Sequence, residues 1–344
     1  MRVPRISVIM SVYNEELYLR EAVKSILEQT FSDFEFIIVN DGSTDNTQRI
    51  LDGYTDPRIV RLNNEMNIGL VKSLNRGLKV ARGEFVARMD ADDVSQPRRF
   101  EKQVKYLESH LTIGVLGTQM EQIDGIGRSM APFQPPGSHN MIAWKMLFEC
   151  SIAHATVMMR RALVDEVGGY DTSFIHIEDA ELWSRLIYVT RFANLPEPLY
   201  VRRWHPNSIC SLHANTQYRV GRVIRQRLIE RILKKEAEPD IHEWFSRSLE
   251  PMPKLGPFKA KRVAELVYGL YQAIVSNDEL STIDKQFIRR DAAKRLYNLI
   301  RPWVQSVSVW GVLARAYYLD PLVVLRVAIG RLRRLYNKQF RSSY

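Results

Sequence analysis

The stretch Gly83-Glu84-Phe85-Val86-Ala87-Arg88-Met89-Asp90-Ala91-Asp92-Asp93 decides the fold predicted for this chain. An apolar run typical of a buried strand ends in three carboxylates within four residues. Such a cluster repels itself unless a cation lies among its oxygens, and Mg²⁺ or Mn²⁺ commonly takes one or two carboxylates together with substrate phosphates. The alternative for an isolated DxD pattern is a solvated turn, because turns favour aspartate. The surrounding sequence separates the two interpretations.

Upstream of this stretch, strand patterns alternate with helical patterns. Strands are predicted over residues 6–13, 34–39 and 58–62, and helices over residues 19–27 and 67–81. This alternation predicts right-handed βαβ units and a parallel sheet, and hence an α/β fold. Ligands of such sheets bind beyond the carboxyl ends of the strands. We therefore expect Tyr13, Asp41 and Asp90 to line one crevice.

Five motifs in this order resemble the inverting family-two glycosyltransferases of the GT-A fold, as found in bacterial polysaccharide synthesis. They lie at residues 7–14, 39–45, 67–70, 89–93 and 178–179. One departure is Asn40, which stands where the family often has the first of two acids, whereas Asp41 keeps the second. The resemblance implies a Rossmann-like, mixed, mostly parallel sheet flanked by helices, with a helical C-terminal extension. It also implies a hexosyl- or N-acetylhexosaminyltransferase.

The resemblance places a nucleotide-sugar donor, a UDP-sugar first and a dTDP-sugar second, at these strand ends. Tyr13 would stack on the base and Asp41 would accept its N3 hydrogen. The structural alternatives are a strand-end core role for Tyr13, a turn-forming role for Asp41 and helix capping by the neighbouring polar residues. The full predicted donor set is Ser11, Tyr13, Asn14, Glu15, Asp41, Asn67, Asp90, Ala91, Asp92, Arg203 and His205.

The resemblance also implies a Mn²⁺ or Mg²⁺ ion held by Asp92 and His205, with Asp90 contacting the ribose or a metal-bound water. The ion would neutralise charge on the leaving nucleoside diphosphate. Asp93 is expected to cap the helix that follows. Residues 202–208 resemble a closing loop that brings Arg203 and His205 to the diphosphate, and the alternative is a basic surface loop.

For the acceptor side, the resemblance makes Asp179 the general base that deprotonates the attacking hydroxyl. Its predicted place is the first turn of a helix, where the helix dipole favours a carboxylate. Glu178, His154 and Trp183 are predicted to support the base or the acceptor. The alternatives are helix capping by the two acids and a structural role for His154.

The last 44 residues carry eight basic residues and one acid, Asp320, and so account for +7 of the chain's net charge of +10. Their aromatic and aliphatic residues contain no uncharged run long enough to span a bilayer. This composition predicts peripheral contact of residues 301–344 with an anionic membrane. The alternative is a basic appendage packed on the catalytic domain or on a second subunit. No sequence motif indicates nucleic-acid binding.

We expect a GT-A catalytic domain over residues 1–215, with donor binding in 1–95 and acceptor binding in 96–215, followed by a helical basic region over 216–344. Cys150 and Cys210 form no disulfide or zinc pattern, which is typical of a reducing compartment. The first predicted strand leaves no room for a signal peptide. The predicted location is the cytoplasm, on the inner face of the cell membrane, and homo-oligomerisation stays open.

Two other functions compete with glycosyl transfer. A nucleotidyltransferase would need a Gly-rich basic loop after the first strand, where residues 13–16 are acidic instead. A non-catalytic GT-A scaffold at the membrane would not need Asp41, Asp92 and Asp179 together. The sequence therefore favours a metal-dependent inverting transferase that acts on a saccharide or a lipid-linked saccharide.

Overall fold

The structure is a computed structural model that describes residues 3–205, 214–234, 236 and 256–325. It divides into two compact units. The first unit comprises Met1–Ala143 and Cys150–Ile224, and the second comprises Trp144–Glu149 and Arg225–Tyr344. The functional boundary at residue 215 stays a prediction.

Eight strands and eleven α-helices are found in the described part of the chain. The strands are β1 (Ile6–Val12), β2 (Phe34–Asn40), β3 (Ile59–Asn63), β4 (Phe85–Met89), β5 (Val94–Ser95), β6 (Ile113–Asp124), β7 (Met158–Arg160) and β8 (Arg191–Trp204). The helices are α1 (Leu19–Leu27), α2 (Thr47–Asp52), α3 (Leu70–Val80), α4 (Arg99–Ser109), α5 (His139–Met146), α6 (Arg161–Glu166), α7 (Glu178–Leu186), α8 (Ala214–Leu233), α9 (Pro257–Val275), α10 (Thr282–Ile300) and α11 (Trp310–Leu319).

The strands of the first unit form one sheet in the order β3-β2-β1-β4-β7-β6-β8-β5. The first four strands are mutually parallel. All residues of β2 and β4 are buried, because helices cover both faces of a parallel sheet, and such strands are mainly apolar. The predicted parallel half is confirmed, and it aligns the carboxyl ends of β1, β2 and β4 at one edge.

The other half of the sheet is mixed. The three-residue strand β7 pairs antiparallel with both β4 and β6, whereas β6 and β8 run parallel. The β6–β8 ladder has register shifts, the irregularities that bend a strand next to functional sites. It extends to the pair Asp124 and Trp204. Arg202, Arg203 and Trp204 therefore belong to β8, where a loop was predicted, and residues 206–208 of that loop lie outside the described residues.

The second unit is helical. Ser281 caps α10 by accepting a hydrogen bond from the Asp284 amide at 3.1 Å. Asp291 accepts hydrogen bonds from the Trp144 indole at 2.7 Å and from Arg295 Nε at 2.6 Å. The charges of Arg295 and Lys145 outweigh burial and hold the pKa of Asp291 at about 2. In the described residues, no helix has the length and apolarity that crossing a bilayer requires.

Candidate active site

The polar residues predicted at the strand ends lie at the carboxyl edge of the parallel half-sheet. Tyr13 follows β1, Asp41 follows β2, and Asp90 follows β4. The neighbouring pairs β1–β2 and β1–β4 bring these three ends side by side. Tyr13 keeps 45% of its surface exposed, so its ring is open to a flat ligand.

Two loops at this edge are joined by reciprocal hydrogen bonds. The Asn14 amide donates to Ser43 Oγ at 3.0 Å, and the Thr44 amide donates to Asn14 Oδ1 at 2.8 Å. Asn14 takes a left-handed backbone with φ of 52°, which asparagine tolerates better than most residues. The Glu15 amide donates to Thr47 Oγ1 at 2.9 Å. These contacts fix the loops that border the predicted base-binding site.

Asp41 organises a third loop. It is 2% exposed, and its carboxylate accepts hydrogen bonds from Asn64 Nδ2 at 2.7 Å and from the amides of Ile68 and Gly69 at 2.9 Å each. An ionised carboxylate offers about four acceptor positions, so one remains for a ligand. Gly42 has φ of 70°, and a Cβ there would lie 2.4 Å from the Met66 carbonyl carbon. Only glycine fits this turn.

Among the other predicted donor residues, Ser11 is half-buried in β1 and Ala91 is buried in the acidic turn. Asn67 is exposed, and its side-chain oxygen accepts a hydrogen bond from the Gly69 amide at 3.1 Å.

Hydrogen bonds with residues of β4 and β8 hold the acidic turn that follows β4. Arg88, buried within β4, donates to Asp90 Oδ1 at 2.5 Å, and the Asp90 amide donates to the Tyr200 hydroxyl at 3.2 Å. Asp93 accepts a hydrogen bond from the Arg203 amide at 2.7 Å. The predicted helix cap by Asp93 is wrong, because its carboxylate is turned toward β8 and α4 begins without a side-chain cap.

Mutual repulsion among the acids perturbs their titration. Burial, followed by the charges of Asp92 and Asp90, raises the pKa of Asp93 well above its usual range. Burial also raises the pKa of Asp90, against the opposing effect of the Arg88 charge. Burial and the charge of Asp92 raise the pKa of Glu15 to about 7. A divalent cation would relieve this excess of negative charge.

Asp92 and His205, the pair predicted to hold such an ion, are in contact. His205 Nε2 lies 2.9 Å from Asp92 Oδ2, and the hydrogen bond to Asp92 raises the pKa of His205. Adjacent ligands of an octahedral ion with bonds of about 2.1 Å are about 3 Å apart, so this spacing fits a shared cation. In the described part of the chain, no three or more His, Cys, Asp or Glu side chains form a complete metal cage.

The two adjacent arginines of β8 have different surroundings. The Arg203 guanidinium donates to the Asp92 carbonyl at 3.1 Å and to Glu21 at 2.7 Å, and it lies over the Tyr18 ring. Neighbouring side chains of a strand point to opposite faces. Burial raises the pKa values of Asp90, Asp93 and Asp179, and the positive charge of Arg202 partly opposes this rise. Arg202 is thus a cation of this site that the sequence prediction left out.

The Glu178–Asp179 pair forms the first turn of α7. Glu178 is 6% exposed and its Oε2 has no hydrogen-bond partner. Burial, with the charge of Asp179, raises the pKa of Glu178 to about 7. Burial raises the pKa of Asp179 as well, and the charge of Asp90 contributes to both shifts. The acidic turn and the predicted base therefore act on each other electrostatically.

His154 and Trp183 complete this side of the site. His154 Nε2 lies 2.7 Å from the Tyr170 hydroxyl, and His154 Nδ1 lies 3.9 Å from Glu178 Oε1. Burial, then the charge of Arg88, lowers the pKa of His154 well below its usual range. The ring is therefore neutral, and its approach to Glu178 is a polar contact without a cationic partner. Trp183 packs edge-on against His154, with 5.9 Å between the ring centroids.

The structure brings the two acidic motifs together and adds residues that the sequence prediction missed, namely Arg88, Tyr170, Tyr200 and Arg202. Arg88 did carry a signal, because a charged residue inside a fully apolar strand requires a buried partner. Tyr170 and Tyr200 gave no such signal in the sequence, because the residues they contact are distant from them in the chain.

A mostly parallel sheet with acidic motifs at its carboxyl edge is the arrangement of GT-A glycosyltransferases. The family model described as Glycosyl transferase family 2 matches residues 7–168. An uncharacterized glycosyltransferase of Haemophilus influenzae is 35% identical over 243 residues, which cover 67% of this chain and 75% of that protein. The Escherichia coli O-antigen biosynthesis glycosyltransferase WbnJ is 33% identical over 213 residues, 59% of this chain and 81% of that protein. The chain belongs to glycosyltransferase family 2 and is a glycosyltransferase.

Two further proteins extend the comparison. The Escherichia coli enzyme WfgD, named a UDP-Glc:alpha-D-GlcNAc-diphosphoundecaprenol beta-1,3-glucosyltransferase, is 30% identical over 185 residues, 53% of this chain and 69% of that protein. The crystal structure of S. aureus TarS 1-349 in complex with UDP-GlcNAc has a TM-score of 0.57 and 20% identity, and the match covers 92% of this chain and 91% of that one. This likeness confirms the predicted GT-A fold.

Proposed function

We propose that this chain is a metal-dependent inverting glycosyltransferase. It moves a sugar from a UDP-sugar to a hydroxyl of a saccharide, either on a lipid carrier or on a growing polysaccharide. The observation that carries the proposal is that the first unit holds both acidic motifs, the turn after β4 and the Glu178–Asp179 pair at the start of α7. Burial raises the pKa values of Glu178 and Asp179, and the charge of Asp90 adds to both shifts. We infer that the acidic turn binds the diphosphate and that the pair supplies the general base.

For donor binding, the exposed Tyr13 ring stacks on the base, and the remaining acceptor position of Asp41 takes the N3 hydrogen. Uracil and thymine both offer this hydrogen, so the site admits UDP or dTDP. The hydrogen bond between Thr44 and Asn14 fixes the two loops that would border the nucleotide.

For the leaving group, Asp92 and His205 would hold the Mn²⁺ or Mg²⁺ ion, with Asp90 at the ribose or at a metal-bound water. When bound, this ion neutralises the charge that develops on the nucleoside diphosphate. Arg202 adds a second positive charge near the same acids, and Arg203 keeps the turn in shape through the Asp92 carbonyl.

For the attack, Asp179 takes the proton of the acceptor hydroxyl as the oxygen bonds to the anomeric carbon from the face opposite the leaving diphosphate. Glu178, His154 and Trp183 support the base or the acceptor. The names of WbnJ and WfgD refer to O-antigen synthesis and to a diphosphoundecaprenol acceptor. They support a lipid-linked saccharide as the acceptor here, with peripheral contact to the inner face of the cell membrane and a cytoplasmic location.

The direct test is a panel of nucleotide sugars with Mn²⁺ or Mg²⁺. A ligand at 100 times its dissociation constant stabilises the folded state by about 2.7 kcal/mol, which thermal denaturation detects readily. We expect stabilisation by UDP-sugars that depends on the metal, and release of UDP when the acceptor is added. Nuclear magnetic resonance should show inversion at the anomeric carbon. Retention of configuration, or no nucleotide binding at all, would refute the proposal and favour a scaffold.

A pH dependence follows from the raised pKa values of the acid pair. The base must be deprotonated, so kcat should fall as the pH drops through the pKa of Asp179, which burial raises above its usual range. Glu178→Gln removes the neighbouring carboxyl group, whose own pKa is raised to about 7 by burial and then by the charge of Asp179. The acid limb of the kcat profile, measured at saturating metal and donor, should therefore remain in this variant. Loss of the limb would mean that Glu178 controls it.

A further inference from the structure

The outward surface of α11 and of the turn after it is apolar. We call this surface the outer stripe and define it by Trp310, Tyr317, Tyr318, Leu322 and Leu325, which are between 42% and 73% exposed. Trp310 and Tyr317 lie seven residues, or about two helical turns, apart, and Tyr318 follows directly, so these three members share one side of α11.

The opposite side of the same segment packs into the second unit. Val312, Ala316, Leu319 and Val323 are each at most 3% exposed. The sequence prediction left membrane contact and packing on protein as alternatives for the residues after position 300, and in α11 the fold buries Val312, Ala316 and Leu319. The outer stripe is the part that packing leaves uncovered.

The chemistry of the outer stripe is that of a bilayer interface. Trp and Tyr carry a polar tip on a large apolar ring, and both are favoured at the level of the lipid headgroups. Trp310 Nε1 already donates to the Val304 carbonyl at 3.0 Å, so the ring is oriented while 55% of its surface is exposed. Arg289 is exposed beside Tyr318, and its guanidinium lies 5.9 Å from the ring centroid.

The charge of the sequence that follows the outer stripe indicates which kind of partner would bind this surface. Residues 326–344 follow directly and contain six basic residues and no acid. Anionic lipid headgroups attract such a segment. A second copy of the chain would bring another basic segment of the same charge to the same place, which opposes self-association.

We propose that the outer stripe is the surface by which the enzyme inserts into the headgroup region of an anionic bilayer. This inference rests on the membrane contact in the proposed function and assigns it to five named side chains. It makes membrane contact independent of the transfer chemistry, because the outer stripe lies in the second unit and the proposed catalytic residues lie in the first.

The test compares two triple variants of the full chain. Tyr318→Ser with Leu322→Ser and Leu325→Ser changes the outer stripe. The matched control, Tyr188→Ser with Val189→Ser and Leu111→Ser, likewise changes one exposed tyrosine and two exposed aliphatic residues, in the first unit. Co-sedimentation is measured with vesicles of phosphatidylglycerol and phosphatidylcholine, and with phosphatidylcholine alone. We expect the stripe variant to bind mixed vesicles at least about tenfold more weakly, while the control binds like wild type.

Binding of the unaltered chain should fall in neutral vesicles and at high salt. Wild-type binding by the stripe variant would overturn the proposal. A second contradicting result is that the unaltered chain forms a dimer and binds no vesicles, while the stripe variant is a monomer. A second copy of the chain would then cover the surface. Stronger vesicle binding after truncation at Leu325 would also overturn it, since residues 326–344 would then shield the outer stripe. Metal-dependent UDP binding should be unchanged in the stripe variant, which separates this test from the test of the proposed function.

Discussion

Asp179→Asn is expected to lower the transfer rate at least about 100-fold, the usual scale for the loss of a positioned general base. Asparagine keeps the size of the side chain and can still accept the hydrogen bond that Asp179 Oδ1 takes from the Ala180 amide at 2.7 Å. The start of α7 should therefore stay folded, while the carboxylate that takes the proton of the acceptor hydroxyl is lost.

The measurement is steady-state transfer to a saccharide acceptor, with UDP and metal affinity determined by isothermal titration on the same preparation. We expect both affinities to remain close to wild type, since Asp179 does not contact the proposed donor site. Glu178→Gln is the matched comparison, because it removes the neighbouring carboxylate and leaves Asp179 in place. Near-full turnover in Asp179→Asn would assign the base elsewhere, with Glu178 the first candidate.

Asp92→Asn is expected to weaken metal-dependent UDP binding at least about tenfold, or roughly 1.4 kcal/mol. Transfer should fall further, by about 100-fold or more, because the ion also stabilises the charge that develops in the transition state. The asparagine side-chain oxygen can still accept a hydrogen bond from His205, so the neutral substitution mainly removes charge from the proposed ligand pair.

Titration of UDP with and without EDTA tests this prediction. Asp52→Asn serves as the control, because its carboxylate is 60% exposed on α2 of the same unit. The control should bind UDP and metal like wild type. We expect Asp92→Asn and EDTA-treated wild type to bind UDP with equal affinity, because in both cases the divalent ion no longer bridges the protein and the diphosphate. UDP affinity that neither change affects would rule out the metal assignment.

The sequence by itself determined the parallel half of the sheet and the order of the acidic motifs. Strands such as β2 and β4 are buried on both faces and read as continuous apolar runs, and α1 and α3 show clear helical periodicity. These signals are local, since each lies within about ten residues. The polar residues at the strand ends then follow from the topology rule for parallel sheets.

Tertiary structure alone decided the other half of the sheet. The strand β7 has three residues and no period to detect, and β6 pairs with β8 across a long separation in sequence with several register shifts. The tertiary structure also shows that Arg202 and Arg203 have different surroundings, because only packing determines which side of β8 faces the acidic residues. The same holds for residues 310–325, which are mainly apolar and aromatic apart from Arg315 and Asp320.

In that segment the fold buries Val312 and Leu319 but leaves Trp310 and Tyr318 exposed. Composition gives the total apolar surface of a helix, whereas the helices that pack against it determine which face remains open. The pKa shifts of Glu178 and Asp90 have the same origin. Burial is their largest cause and depends on packing, whereas the strongest charge contributions come from neighbours in the chain, Asp179 for Glu178 and Arg88 for Asp90.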